Sequence, residues 1–456
     1  MLALRLARGG QPLVQIRRLL VAAASAGTGF LLLCTLGYAM THPDASTASV
    51  LRLAWCVAPL AATVYFAVAV ARTDPGTRPR PGLSAIGLGP GRLMAISATT
   101  TALSTVLGSM LALLLFLHLR GDLTGMPFDG AAADFLAADR PLPLPAALTL
   151  LSLVPAAASV ATALVLRPRG RSTARGRRRT GGDATRPGGS RTGRHAIGAP
   201  AASAAPGTPV VVGTLVDADT VVATAPPVPD AYAVAADTPE QPAQALDPRL
   251  LVPAQTAPGG LPWGAAVLAA GLAVETYASR SDATPGLALP GGFAGGPAGV
   301  LAGWALTAVG LALAGPAITY LCGRLLQAVR PGALRLLAGR VLQTEARRIG
   351  QPLGVLCAVA SGAYAMATLY AGERPDFGPL SALGALLVGG CTLLTVLTAA
   401  VEARQARADT TAALLRLGAP VTMLRGAAAL RIGALLAVFG PLTWAVAQLA
   451  ALPLVR

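Results

Sequence analysis

The chain has no lysine and no asparagine, and it is poor in aromatics (4%) and in charged residues (12%) over its 456 positions. Without lysine there is no Walker A lysine and no Schiff-base lysine, so this chain alone is not a P-loop ATPase. Without asparagine there is no Asn-x-Ser/Thr glycosylation acceptor. The low charge argues against a water-soluble domain, which carries roughly 25% charged residues. The low aromatic content argues against a membrane barrel with aromatic girdles. Cys34, Cys56, Cys322, Cys357 and Cys391 form no CxxC and no Cys/His cluster, and His42, His118 and His195 lie far apart. The cysteines read as small packing residues. No nucleophile–base pair is visible either, so no catalytic, metal or cofactor-binding residue is expected in this chain.

What is present is apolar. Hydrophobic residues make up 54% of the chain and the mean hydropathy is +0.61. This composition suits helices spanning lipid. About 20 apolar residues are needed to cross roughly 30 Å of hydrocarbon. Nine stretches qualify: 19–40, 53–71, 98–119, 143–166, 261–278, 298–322, 353–371, 381–401 and 432–452. The fifth is the weakest, being short with Glu275 near its end. The first is longer than a signal-peptide apolar region, and no small-x-small site follows Met40, so it is expected to stay uncleaved.

The basic residues number 36, all arginine, and the net charge is +16. Arginine in place of lysine, with abundant Ala, Gly and Pro, points to a GC-rich coding bias. With the N-terminus in the cytoplasm and the spans alternating, the outside segments keep only Arg52, Arg120, Arg140, Arg280, Arg374 and Arg456. The positive-inside rule therefore predicts a multi-pass protein of the cell membrane, N-terminus cytoplasmic and C-terminus extracellular.

Between the fourth and fifth spans, 167–194 is Arg, Gly, Ser and Thr with almost no apolar residue, and the stretch after it is rich in Pro and Ala. Such a segment cannot bury enough surface to offset its ordering entropy, so a disordered cytoplasmic linker is expected. No aromatic interleaves its arginines, so nucleic acid is not an expected partner. The reading divides the chain into a cytoplasmic N-terminus (1–18), a first membrane half of four spans (19–166), the linker (167–260), two connecting spans (261–322), a cytoplasmic amphipathic segment (323–352) and a second half of three spans (353–456).

An offset of 331 residues lays Leu83-Ser-Ala-Ile-Gly87 on Leu414-Leu-Arg-Leu-Gly418. In each copy a span runs inward, a polar Arg-bearing stretch follows, then an apolar step ending in Gly, then the next span. Ala412, Leu414, Leu415 and Leu417 make a short amphipathic turn. Gly418 can take the left-handed conformation that ends a helix, and Pro420 prevents the same helix continuing. The short helix either presses its apolar side into a groove on a partner or lies on lipid headgroups.

The second copy resembles the FtsX-like permease family of ABC transporter membrane subunits. The resemblance rests on Val401-Glu-Ala-Arg-Gln-Ala-Arg, Thr411-Ala-Ala-Leu-Leu-Arg-Leu-Gly-Ala419 and Met423-Leu-Arg-Gly-Ala. Gly82-Leu-Ser-Ala-Ile-Gly-Leu-Gly89 is a degenerate first copy, and the likeness covers 53–119 and 353–452. It implies an all-α polytopic fold of about nine spans in two FtsX-like halves. It implies coupling segments at Leu83, Ile86, Gly87, Leu414, Leu415, Leu417, Gly418 and Ala419. It also implies a separate ABC-type ATPase subunit that holds the ATP, and it leaves room for a second permease or self-association. Two features depart from the family. The outside loops leave no space for a substrate-capturing domain, and the chain stops after a ninth span where a half usually has a fourth.

Two other functions fit the same spans: a non-transporting signalling scaffold driven by an ATPase, and a secondary transporter. Against the latter, no ionisable residue falls near the middle of any span, where ion coupling needs one.

Overall fold

Alanine and leucine are the best helix formers, and helix satisfies every backbone polar group within its own segment. A computed structural model of the chain describes residues 12–73, 90–122, 130, 132–133, 136–167, 259–280, 288–289, 293–294, 298–328, 332–369 and 378–452. Nearly all of the expected linker lies outside these residues. Helices are α1 (Pro12–Thr41), α2 (Ser46–Trp55), α3 (Val57–Thr73), α4 (Pro90–Arg120), α5 (Leu144–Leu166), α6 (Gly260–Ser279), α7 (Ala298–Ala328), α8 (Ala333–Leu369), α9 (Pro379–Ala406), α10 (Ala408–Arg416) and α11 (Val421–Ala451). The two-residue strands β1 (Ala288–Leu289) and β2 (Phe293–Ala294) form one antiparallel ladder. Among the described residues nine helical segments are long and apolar enough to cross a membrane, with α2 and α3 together making one of them. The architecture is all-α and multi-pass.

The outward faces fit that reading. On α4, Leu103, Val106, Leu107, Met110, Leu111, Leu114 and Leu115 form one exposed stripe at helical spacing. A stripe of this kind belongs in lipid rather than water. Trp263 and Tyr277 are exposed at opposite ends of α6, where aromatic rings anchor a span to the two interfaces.

Within lipid, helices gain nothing from burying apolar surface against each other, so packing and interhelical hydrogen bonds hold them. In one group α1 lies along α3, α4 and α5, and α9 packs on α3 and α1. Ser25 Oγ donates to the Thr105 carbonyl at 2.8 Å and Ser109 Oγ to the Leu151 carbonyl at 3.1 Å. The Thr28 and Thr63 hydroxyls share a 2.9 Å bond, and Thr63 also meets Cys391 Sγ at 3.9 Å. All five cysteines are buried and free of disulfides; Cys391 joins a core with Val21, Phe66, Ala67 and Ala158.

In the other group α7 packs along both α6 and α8, and α11 packs on α8. Ser361 Oγ donates to the Thr443 carbonyl at 3.0 Å. The α7–α8 contact is close: a Cβ at Gly315 would run into the Gly350 carbonyl oxygen, and a Cβ at Gly350 would stand 2.5 Å from the Pro316 Cα.

Two boundaries differ from the hydropathy reading. The second span breaks at Cys56 between α2 and α3. Pro59 lies three residues further on; it has no N–H for the Trp55 carbonyl, and its ring crowds that oxygen. The region 333–352 is continuous with the seventh span, so α8 runs for 37 residues, about 55 Å. The helix thus extends well beyond the hydrocarbon.

One end of the assembly gathers the start of α1, the ends of α3, α5 and α9, and residues 347–352 of α8. Arg17 Nη1 donates to Thr73 Oγ1 at 3.2 Å there, and a single cavity is lined from α3, α5, α8 and α9.

Candidate functional site

The segment joining α9 to α11 lies at that same end. α9 stops at Ala406, Arg407 turns the chain, and α10 runs for nine residues. Asp409 sits in the first turn of α10 and Arg416 in its last, each favourable to the helix dipole. The stop is built as a full Schellman cap. Gly418 has φ +85°, its N–H donates to the Leu415 carbonyl at 3.1 Å, and the Ala419 N–H donates to the Leu414 carbonyl at 3.0 Å. Pro420 then caps the start of α11.

The helix projects from the bundle. None of its residues is buried, and its packing contacts are with α9. Leu414 is half-buried, Leu415 is 43% exposed and Leu417 is 83% exposed. Gly418 is exposed and Ala419 half-buried. Five of the expected site residues therefore lie on one short, capped and uncovered helix end. The other three, Leu83, Ile86 and Gly87, lie outside the described residues.

One anchor escaped the sequence reading. Arg407 Nε donates to the Ala403 carbonyl at 2.9 Å, and the guanidinium forms an ion pair with Glu345, Nε standing 2.8 Å from Oε1. Glu345 is only 7% exposed on α8, and Arg348 and Arg431 lie within its electrostatic reach. The hinge between α9 and α10 is thus tied to α8 and faces α11. A 62-residue separation hides such a pair from any local pattern.

Replacing Gly418 with valine should loosen this end. A β-branched residue in the left-handed region costs about 1–2 kcal/mol. Amide exchange at Leu417–Ala419 should accelerate several-fold while α9 and α11 stay protected; unchanged exchange there would mean that the cap does not hold the segment.

Glu275, counted above against the fifth span, is 1% exposed inside the α6–α7 contact. Trp304 Nε1 donates to its Oε1 at 2.7 Å. The carboxyl is therefore hidden from lipid by α7. No group of three or more His, Cys, Asp or Glu arranged for a metal is found among the described residues.

No family model, no curated protein and no solved structure matches the chain.

Proposed function

We propose that the chain is the membrane subunit of an FtsX-like ABC transporter, coupling ATP hydrolysis on a separate subunit to transmembrane movement or signalling. The observation that carries this reading is a repeated three-helix unit, whose second copy presents the exposed helix α10 before its last helix. α4 and α11 are each 31 residues long, and both their starts and their ends differ by the same 331 positions as the sequence repeat. α1 packs on α4 and α3 in the first unit, and α8 packs on α11 and α9 in the second. Six helical spans separate equivalent positions, so the two units run in the same direction through the membrane, as in transporters built from parallel repeats. Two coupling segments in one chain suit an ATPase dimer. Closure of that dimer would push on both segments, and the Arg407–Glu345 tie would carry the push from α10 into α8. The chain itself performs no catalysis in this scheme.

The proposal places the arginine-bearing end in the cytoplasm of the cell, with the C-terminus outside. Eleven arginines between Arg167 and Arg249 would resist translocation. Single cysteines introduced at Ser190 and at Ser281, on a background lacking the five native ones, test the orientation on intact cells. An impermeant thiol reagent should label position 281 and spare position 190. The reverse pattern would overturn it. The coupling claim is tested by affinity purification in mild detergent from the native cell. An ABC-type ATPase should come with the chain, and its repeated absence would count against the whole assignment.

A further inference from the structure

Between α3, α5, α8 and α9 lies a cavity of about 800 Å³. Its volume is that of a small-molecule site. Three arginines reach it: Arg72 from the end of α3, and Arg347 and Arg348 from α8. All three are exposed, and neither Arg72 nor Arg347 forms an ion pair with a described residue. Tyr65, Thr395 and Thr398 line the cavity too, beside Val68 and Ala69 of α3 and Val165 and Leu166 of α5; the two threonine hydroxyls donate to carbonyls of their own helix. One carboxylate, Glu402, lies among them.

The lining therefore has a cationic rim and an amphipathic interior. Guanidinium groups match the oxygens of a phosphate bidentately. Basic pockets between transmembrane helices, on the side rich in arginine, are suited to anionic lipid headgroups. From this lining we infer that the cavity binds the phosphate of an anionic glycerophospholipid, its headgroup between Arg72 and Arg347 and its glycerol end along the apolar wall. Glu402 disfavours a carboxylate-rich occupant and offers an acceptor to a headgroup hydroxyl. The site draws on both membrane groups, α3, α5 and α9 on one side and α8 on the other, so an occupant would brace them at one end. It depends only on the membrane placement of the chain and not on an ATPase partner.

The full chain is to be reconstituted in vesicles of equal phosphatidylglycerol and phosphatidylcholine, re-extracted and weighed intact by native mass spectrometry. The parent should retain phosphatidylglycerol in preference to phosphatidylcholine. The double variant Arg72→Gln/Arg347→Gln should lose about tenfold or more of that retention, since both charge-assisted contacts go. Arg72→Lys/Arg347→Lys should keep part of it, and Arg340→Gln, an exposed arginine on α8 away from the cavity, should change nothing. Equal retention of the two lipids, or a double Gln variant that folds and retains lipid like the parent, overturns the site. Glycerol 3-phosphate at millimolar concentration separates the sources. If it binds with the same arginine dependence, the phosphate site stands and its occupant is soluble; if it does not compete, the lipid is the occupant. Acidic residues at Asp217, Asp219, Asp230, Asp237, Glu240 and Asp247 are the rival from within the chain. Deleting 206–250 should leave lipid retention unchanged, whereas retention appearing only after the deletion would make that stretch the occupant and sink the proposal.

Discussion

Leu415→Glu should cut association with the ATPase subunit about a hundredfold while leaving the membrane bundle intact. The two halves of that expectation have separate causes. Leu415 is 43% exposed on a helix with no buried residue, so charging it removes no packing inside the chain. In a docked complex the same carboxylate would enter an apolar groove without a partner. Burying an unpaired carboxylate costs several kcal/mol, and about 2.8 kcal/mol already gives a hundredfold loss. Arg280→Glu, exposed beyond the far end of α6, serves as the control and should not affect the ATPase. Leu83→Glu should act in the same direction through the first copy. The measurement is the amount of ABC-type ATPase held by the tagged chain at matched expression, with thermal unfolding in detergent as the check on folding. A Leu415→Glu chain that holds the ATPase as well as its parent removes the coupling role of α10. The helix would then be read as lying on headgroups, with Arg416 and Arg425 near phosphates.

Lipid makes the spans easy to read and their packing hard. A stretch of apolar residues announces a span whichever helix it meets, which is why 143–166 and 381–401 fall close to α5 and α9. Which face meets which neighbour is decided by scattered hydroxyls and small residues. Nothing local in α9 tells that Cys391 will meet Thr63 of α3, 328 positions away. Glu275 looked like a defect of the fifth span because a lone carboxylate is costly in lipid. Its partner, Trp304, lies on the next helix, and no pattern within α6 reveals it. The break at Cys56 is different in kind. Pro59 was in plain view, but a hydropathy window counts it only as one more uncharged residue. The Gly418 cap could be read because a helix stop is a local event, set by one glycine and the proline two residues on. What would cover the capped helix is not local, and the described part of the chain leaves its surface exposed.

The contact between α7 and α8 makes the second large expectation, a loss of the folded state on Gly350→Leu. Backbones approach so closely there that a side chain has no room. Even a single Cβ at Gly350 would stand 2.5 Å from the Pro316 Cα and 2.8 Å from the Pro316 nitrogen. Those are backbone and ring atoms, which cannot rotate away as a flexible side chain would. Overpacking a tight contact typically costs about 1–3 kcal/mol, and a leucine against a rigid backbone falls at or beyond the upper limit. The energy cannot be recovered elsewhere, because lipid solvates the separated helices as well as they solvate each other. α8 also carries Glu345, so its displacement would pull the Arg407 anchor with it. Gly362 on the same helix provides the comparison: nothing lies within 4 Å of a Cβ built there. Alanine stabilises a helix interior by about 1 kcal/mol over glycine. Gly362→Ala should therefore raise the unfolding midpoint or leave it unchanged, whereas Gly350→Ala should lower it and Gly350→Leu should yield little monodisperse protein. If Gly350→Leu purifies and unfolds like the parent, α7 and α8 do not meet through these glycines. The Arg407–Glu345 tie would then give no path from the α9–α10 hinge into the second membrane group.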